Sequence, residues 1–349
     1  MPARVPAEWE PHGGCVMVWP WARRVWGRRL RDVQWEFASI ARTIARFEPV
    51  LVLAHPGTST RARRSCGPAV RIVEVESDDM WARDTCPVFA VDECGAVLGL
   101  EPGFNGWGRK APMWRRDAAL AGELCAHLGI QAKILGPVVE GGAVITDGQG
   151  TLILSEECLL NPNRNPGMRK DELASLVAGE YGASTVIWLP YGLSDDETDG
   201  HVDGVAAFLA PARVLAQTAW GSGTPDEQRL AHNLEVLRTS TDAMGRRLEV
   251  VEIPYCSEIF LGADPVTVSY VNFYLPMGAV IVPTAGTGED APALALLGEL
   301  FPDREVIGVP ARAIAWGGGG VHCMTQPVPA GLSTTQWSSL LQPTEFQRR

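Results

Sequence analysis

Val88-Phe-Ala-Val91, Asp92-Glu-Cys-Gly95, Ala96-Val-Leu-Gly-Leu100: two β-rich runs on either side of a turn containing Asp and Gly read as a hairpin. Trp114–Leu128 follows with helical periodicity, and Ala132–Leu135 is a short apolar run bounded by polar residues, as in a buried strand. The same order recurs along the chain. Ala143–Thr146 and Thr151–Leu154 flank Asp147-Gly-Gln-Gly150, ahead of a helix at Met168–Tyr181 and a strand at Thr185–Leu189. Val205–Leu209 and Val214–Gln217 turn at Pro211, ahead of Asp226–Met244 and Leu248–Ile253. Val268–Tyr274 and Ala279–Val282 turn at Pro276-Met-Gly278, ahead of Asp290–Phe301 and Val306–Val309. Near the start, Arg28–Phe47 is the cleanest helix, with Leu30, Val33, Phe37, Ile40, Ile44 and Phe47 at steps of three and four, and Val50–Ala54 follows as its strand. Only half a hairpin, Val16–Trp19, precedes it, and a strand near Val321–Thr325 supplies the other half from the far end of the chain.

The chain is therefore expected to be α/β: hairpin–helix–strand units of roughly 60 to 70 residues, repeated five times and closed by joining the termini. That is one propeller-like domain over residues 1–349, with its core at about 6–330 and a Gln342–Arg349 end that frays. A doubly wound open sheet fits less well, because a βαβαβ chain does not keep inserting antiparallel pairs.

Hydrophobic residues make up 46% of the chain and charged residues 20%, the balance of a globular enzyme. The net charge of −11, without a concentrated basic face, argues against a nucleic-acid partner; Arg23–Arg31 and Arg61–Arg64 are short, interrupted and read as solvated surface. Cys15, Cys66, Cys86, Cys94, Cys125, Cys158, Cys256 and Cys323 are scattered without Cys-x-x-Cys spacing, so they read as reduced thiols of a cytoplasmic protein. No leader-like opening and no 18-residue apolar run is present, which predicts a soluble protein with no membrane partner. Oligomeric state is left open, a homo-oligomer included.

The reactive side chains recur at matching places in the units. Asp78-Asp-Met-Trp81-Ala-Arg83-Asp84 enters one hairpin, Glu140-Gly-Gly142 the next, and Glu197-Thr-Asp-Gly-His201-Val-Asp203-Gly204 the third. Tyr270-Val-Asn272 lies in the fourth, and Gly317-Gly-Gly-Gly-Val-His322-Cys323 on the closing strand. Each also has a plain structural reading when taken alone: a surface ion pair, a turn, a satisfied His–Asp pair, a Gly-rich bend before an inert Cys. In a fivefold ring, however, equivalent positions converge on one end of the axis and build one concave site. His201 and Asp203, two apart on a strand, share a face. Carboxylates match a planar guanidinium in forked geometry. A histidine held by a carboxylate moves protons to a departing amine, and an accessible cysteine supplies the nucleophile.

Trp81-x-Arg83-Asp84, Glu140-Gly-Gly, His201-Val-Asp203, Ser269-Tyr-Val-Asn-Phe-Tyr274 and Gly317-Gly-Gly-x-Val-His-Cys323, with Pro6-Ala-Glu-Trp-Glu-Pro-His12 and Met17-Val-Trp-Pro20, resemble the agmatine deiminases of the bacterial peptidyl-arginine deiminase-like family. These are guanidino-group-modifying enzymes of the pentein fold, and the resemblance runs from about Pro6 to Gln326. It implies a fivefold pseudosymmetric propeller of ββαβ units and hydrolysis of agmatine to N-carbamoylputrescine and ammonia, a step toward putrescine, through a Cys323 thiouronium. Under that resemblance His201 is the proton carrier, Asp84 and Asp203 bind guanidinium nitrogens, and Glu140 supports His201 and the substrate. Trp81 packs on the cationic plane, Asn272 lines the site, and Glu197 meets the distal amine. No metal or organic cofactor is implied.

The chain departs from the family pattern at Gly204 and Gly320, where Asn is usual, at Pro327, usually Gln, and at Cys86, usually Gly. Arg109 after Gly106-Trp-Gly108 replaces a small residue and would suit a substrate carrying a carboxylate, so arginine or another guanidino compound stays a second reading, as does an amidinotransferase. A zinc or iron hydrolase using His201, Asp203, His322 and Cys323 is the rival from another class. A non-catalytic binding member of the fold is a third.

Overall fold

A computed structural model describes residues 3–332; the Gln342–Arg349 end lies outside them. The five units are present, and each builds its own sheet. Val88–Val91 pairs antiparallel with Val97–Glu101, which pairs parallel with Gln131–Ile134 across the helix Arg115–Leu128. Val144–Thr146, Thr151–Ser155 and Thr185–Leu189 repeat this around the helix Lys170–Tyr181. Ala206–Ala210, Arg213–Thr218 and Glu249–Pro254 do so around Pro225–Thr239. Ala279–Thr284 and Glu305–Pro310 run parallel around Asp290–Leu300, and only a single bridge, Tyr274 to Ile281, stands for the hairpin expected there.

Aspartates make the turns. The Asp92 carboxylate accepts from the backbone N–H of Cys94 and Ala96, both at 2.8 Å, and Asp147 accepts from Gln149 and Thr151 at 2.8 and 2.9 Å. A third such turn corrects an expectation. The helix predicted to reach Met244 stops at Thr239, because Asp242 captures the N–H groups of Met244 and Arg246 at 3.0 and 2.8 Å.

The first unit differs most from its expected form. His12–Val18 pairs parallel with Val50–Ala54, and the helix Leu30–Ile44 covers that sheet. Val33, Phe37, Ile40 and Ile44 are buried against Met17, Val52 and Ile72; each such side chain contributes about 1.5–3 kcal/mol on burial. An unanticipated helix, Ser59–Cys66, leads to an additional parallel strand, Val70–Glu74. The closing strand is Gln326–Pro329, not Val321–Thr325, and it pairs antiparallel with His12–Val18 through Val16–Gln326 and Cys15–Pro327. Two prolines hide it in the sequence, and it is tolerated because it is an edge strand. Val321–Thr325 is instead a turn, in which the Thr325 hydroxyl donates to the carbonyls of Val321 and His322 at 2.9 and 3.1 Å. A hairpin at Cys256–Leu261 and Asp264–Val268 is a further unpredicted insertion. Among the described residues no helix is long and apolar enough to cross a membrane.

Candidate active site

The catalytic candidates sit on the turns that enter the strands. Trp81 precedes the helical turn Ala82–Thr85, Glu140 precedes the turn Gly141–Ala143, and His201 precedes the turn Val202–Gly204. His201 and Asp203 therefore do not share a strand face as expected. The turn sends the Asp203 carboxylate to His322, with Oδ2 2.7 Å from Nδ1, while Nδ1 of His201 lies 3.8 Å from Oδ1 of Asp84. The His201 ring packs directly on the backbone of the neighbouring turn: a Cβ on Gly142 would stand 2.5 Å from Nδ1 of His201.

Cys323 is half-buried at the end of the glycine run. Its sulfur lies 3.5 Å from Oδ2 of Asp203 and 3.2 Å from Nδ2 of Asn272. Asn272 also donates to the Asp203 carbonyl at 3.0 Å and accepts from the Cys323 N–H at 3.3 Å, so one amide ties three units together. Gly320 leaves room for it, since a Cβ there would come 2.4 Å from Oδ1 of Asn272. The position of Gly204 is open, with nothing within 4 Å of an added Cβ. Burial pushes the Cys323 thiol well above its ordinary range, and the charges of Asp203 and Asp84 push it further.

Asp84 accepts from the Gly142 N–H at 2.9 Å and from the Trp107 indole at 3.0 Å; burial raises its carboxyl, against the pull of His201. Burial works against protonation of His201, but Asp84, Glu140 and Asp203 together raise it. Its Nε2 is buried without a hydrogen-bond partner in the protein. Trp81 lies over the glycine run, where a Cβ on Gly319 would meet its ring at 2.4 Å. The site thus gathers Cys323, His201, Asp203, Glu140, Asp84, Trp81 and Asn272.

Glu197 and Arg109 are exposed. Glu197 contributes its backbone carbonyl, which accepts from Lys110 at 2.8 Å. Three residues escaped the sequence reading. Trp107, whose indole holds Asp84, had a signal in the flanking glycines. Arg164, in Asn163-Arg-Asn165, had none: its Nε reaches Glu140 at 2.5 Å and its Nη1 reaches Asp199 at 2.6 Å. Asp196 accepts from the His201 N–H at 3.1 Å.

The donor atoms of His201, Asp203, His322 and Cys323 do not converge within 4.8 Å of one another as a metal-binding group, although Asp203 touches both His322 and Cys323. Among the described residues the only donor cluster of this kind is Glu140, Cys158 and His201, within 4.8 Å of one another, and Glu140 there is already ion-paired with Arg164.

A family model described as Porphyromonas-type peptidyl-arginine deiminase matches residues 4–329. The agmatine deiminase of Pseudomonas aeruginosa (strain LESB58) is 40% identical, over 94% of this chain and 95% of that protein. The solved agmatine deiminase of Enterococcus faecalis superposes with a TM-score of 0.91 at 30% identity, over 94% of this chain and 96% of that one. The enzyme DDAH from Pseudomonas aeruginosa, 16% identical with a TM-score of 0.50 over 91% and 99% of the two chains, shares the fold alone.

Proposed function

This chain belongs to the Porphyromonas-type peptidyl-arginine deiminase family, a pentein by its fivefold α/β architecture, and from that premise we propose that it hydrolyses agmatine to N-carbamoylputrescine and ammonia. One observation carries the reading: a half-buried cysteine sulfur stands 3.5 Å from a buried aspartate, with a second aspartate close enough to raise its thiol. Such a thiol is a poor nucleophile alone. A flat cation lying against both carboxylates removes the penalty and presents an electrophilic carbon.

In this reading Asp84 and Asp203 hold the guanidinium nitrogens, and Trp81 packs against its plane. The Cys323 thiolate bonds to the guanidinium carbon. His201 gives its proton to one nitrogen, the C–N bond breaks, and ammonia leaves. The S-alkylthiouronium that remains is attacked by water, which gives a proton to His201. The C–S bond then breaks as the adduct's hydroxyl proton leaves to solvent, releasing the neutral ureido product and the thiolate. Glu140, whose carboxylate lies near His201 and is fixed by Arg164, steadies the imidazole. The whole ring acts as one catalytic domain, in the cytoplasm, with a small cationic guanidino compound as its partner and no cofactor.

The test is a panel of agmatine, arginine and other guanidino compounds, scored by kcat/KM with ureido product and ammonia both measured. Agmatine should lead. A preference for arginine would replace the substrate, and turnover of no guanidino compound would sink the reading.

A further inference from the structure

The N-terminal segment carries a carboxylate that the mechanism above does not use. Oε2 of Glu8 lies 2.9 Å from Nε2 of His322 and 2.9 Å from Nη2 of Arg83, while Oε1 accepts from the Leu275 N–H at 3.1 Å. His322 is thus held at both ring nitrogens, by Glu8 on one side and Asp203 on the other. Arg83 closes the arrangement: its Nε donates to the His322 carbonyl at 3.3 Å and its N–H to the Cys323 carbonyl at 3.1 Å. Glu8, Arg83, Asp203 and His322 all line one pocket beside the N-terminal segment, which Cys323 does not line.

We infer that Glu8 is a positioning residue of the site: it anchors His322 so that Nδ1 donates to Asp203, which fixes the Asp203 carboxylate beside the Cys323 sulfur. The chemistry is that of a histidine between two carboxylates. A cationic imidazole donates from both nitrogens, whereas a neutral one donates from only one. With Glu8 present both donations are made at once, and Asp203 keeps one fixed orientation toward the reacting carbon.

The charges around His322 agree. Burial and Arg83 oppose its cation, but Glu8 and Asp203 outweigh them and raise it. Burial opposes the ionised form of Glu8, but His322 and Arg83 hold its carboxyl down at about 2, with His12 adding to the pull. Arg304 and the buried Tyr274 also feel Glu8. The basic limb of activity should therefore follow His322, because Asp203 loses its double-ended anchor as the imidazolium deprotonates.

The proposal rests on the deiminase reading for its rate measurements, and the test separates the two. Glu8→Gln and the shorter acid Glu8→Asp are assayed against wild type for kcat and KM from pH 6 to 10, with the preferred substrate. In parallel, the His322 imidazole is titrated by NMR in the free proteins. Glu8→Gln should move the basic limb and the imidazole midpoint to lower pH by about one unit, with a raised KM. Glu8→Asp should restore part of both. A Glu8→Gln protein that melts like wild type and keeps the wild-type imidazole midpoint overturns the proposal. So does a rate lowered by one factor at every pH, which would mean a structural staple only. If wild type turns over no guanidino compound, the deiminase reading falls and the NMR titration alone judges Glu8.

Discussion

Oδ2 of Asp203 lies 3.5 Å from the Cys323 sulfur. A carboxylate at that distance protects the free enzyme from its own nucleophile. Burial raises the thiol first, and the charges of Asp203 and Asp84 add to it. Ionisation is then coupled to substrate binding, because only a cation in the site makes the thiolate favourable. Removing the charge should thus have opposite effects on acidity and on catalysis. Asp203→Asn should lower the thiol pKa of the free protein, read from the pH dependence of iodoacetamide alkylation, while kcat/KM falls on the order of 10³–10⁴-fold. An unchanged or raised thiol pKa in the variant would refute the coupling.

The nucleophile itself is tested by Cys323→Ser. The side chain sits on a turn and makes its polar contacts with Asp203 and Asn272, so folding should survive. Turnover should drop by about a thousandfold or more. Trapping of a covalent adduct on Cys323 by mass spectrometry should occur in wild type and vanish in the variant; an adduct on another cysteine would reassign the role.

Three glycines of the site should respond very differently to one methyl group. A Cβ on Gly142 would stand 2.5 Å from the His201 ring, and one on Gly320 would stand 2.4 Å from the Asn272 amide. Gly204 has nothing within 4 Å of an added Cβ. Gly142→Ala and Gly320→Ala should each lose about a hundredfold in kcat, the size of a misplacement near 1 Å. Gly204→Ala should stay within a few fold of wild type. Equal behaviour of the three would contradict the close packing of Gly142 on His201 and of Gly320 on Asn272.

The period of the chain was legible because each unit repeats turn chemistry that a sequence displays openly, as at Asp92-Glu-Cys-Gly95 and Asp147-Gly-Gln-Gly150. The closing strand was misplaced because Pro327 and Pro329 look like strand breakers, and only the sheet edge makes them harmless. The site residues could be found by type and phase, but not their pairings. His201-x-Asp203 spacing suggested a pair, whereas the turn Val202–Gly204 delivers Asp203 to His322. Arg164 stayed hidden because its partners, Glu140 and Asp199, are 24 and 35 residues away and nothing local announces a buried ion pair. Glu197 and Arg109 had suitable charges, but both lie exposed.

Stability should depend on pH through Asp79. This buried carboxylate accepts from the Trp26 indole at 2.9 Å and from the Met80 N–H at 2.8 Å, and burial raises its carboxyl from 3.8 to about 6. The folded state therefore holds a proton that the unfolded chain releases. The stabilisation is fully present below about pH 4 and is lost as pH rises through 6. The shift corresponds to up to about 3 kcal/mol. Asp79→Asn keeps an acceptor oxygen and removes the titration. The melting temperature of the variant minus that of wild type should rise from pH 4 to pH 8; a difference that does not change with pH would remove Asp79 from the account.

Arg164 makes the sharpest demand on the fold, because its side chain and that of Glu140 are both fully buried. Nε meets Glu140 at 2.5 Å, Nη1 meets Asp199 at 2.6 Å, and Nη2 donates to the Thr198 carbonyl at 2.8 Å. One planar fork thus fixes the acid beside His201 and the loop that delivers His201. Arg164→Met leaves Glu140 buried and unpaired, which costs about 3–5 kcal/mol, read as a lower urea midpoint at unchanged m. Adding Glu140→Gln should recover much of that stability, since the orphaned charge is gone, but not the turnover, since neither the acid nor the loop anchor returns. Arg164→Lys separates charge from geometry: an ammonium keeps the charge but cannot reproduce the fork, so stability should recover further than kcat. An Arg164→Met protein that unfolds at the wild-type urea concentration refutes the burial penalty, and a double variant that regains activity along with stability makes the fork a packing feature without a catalytic consequence.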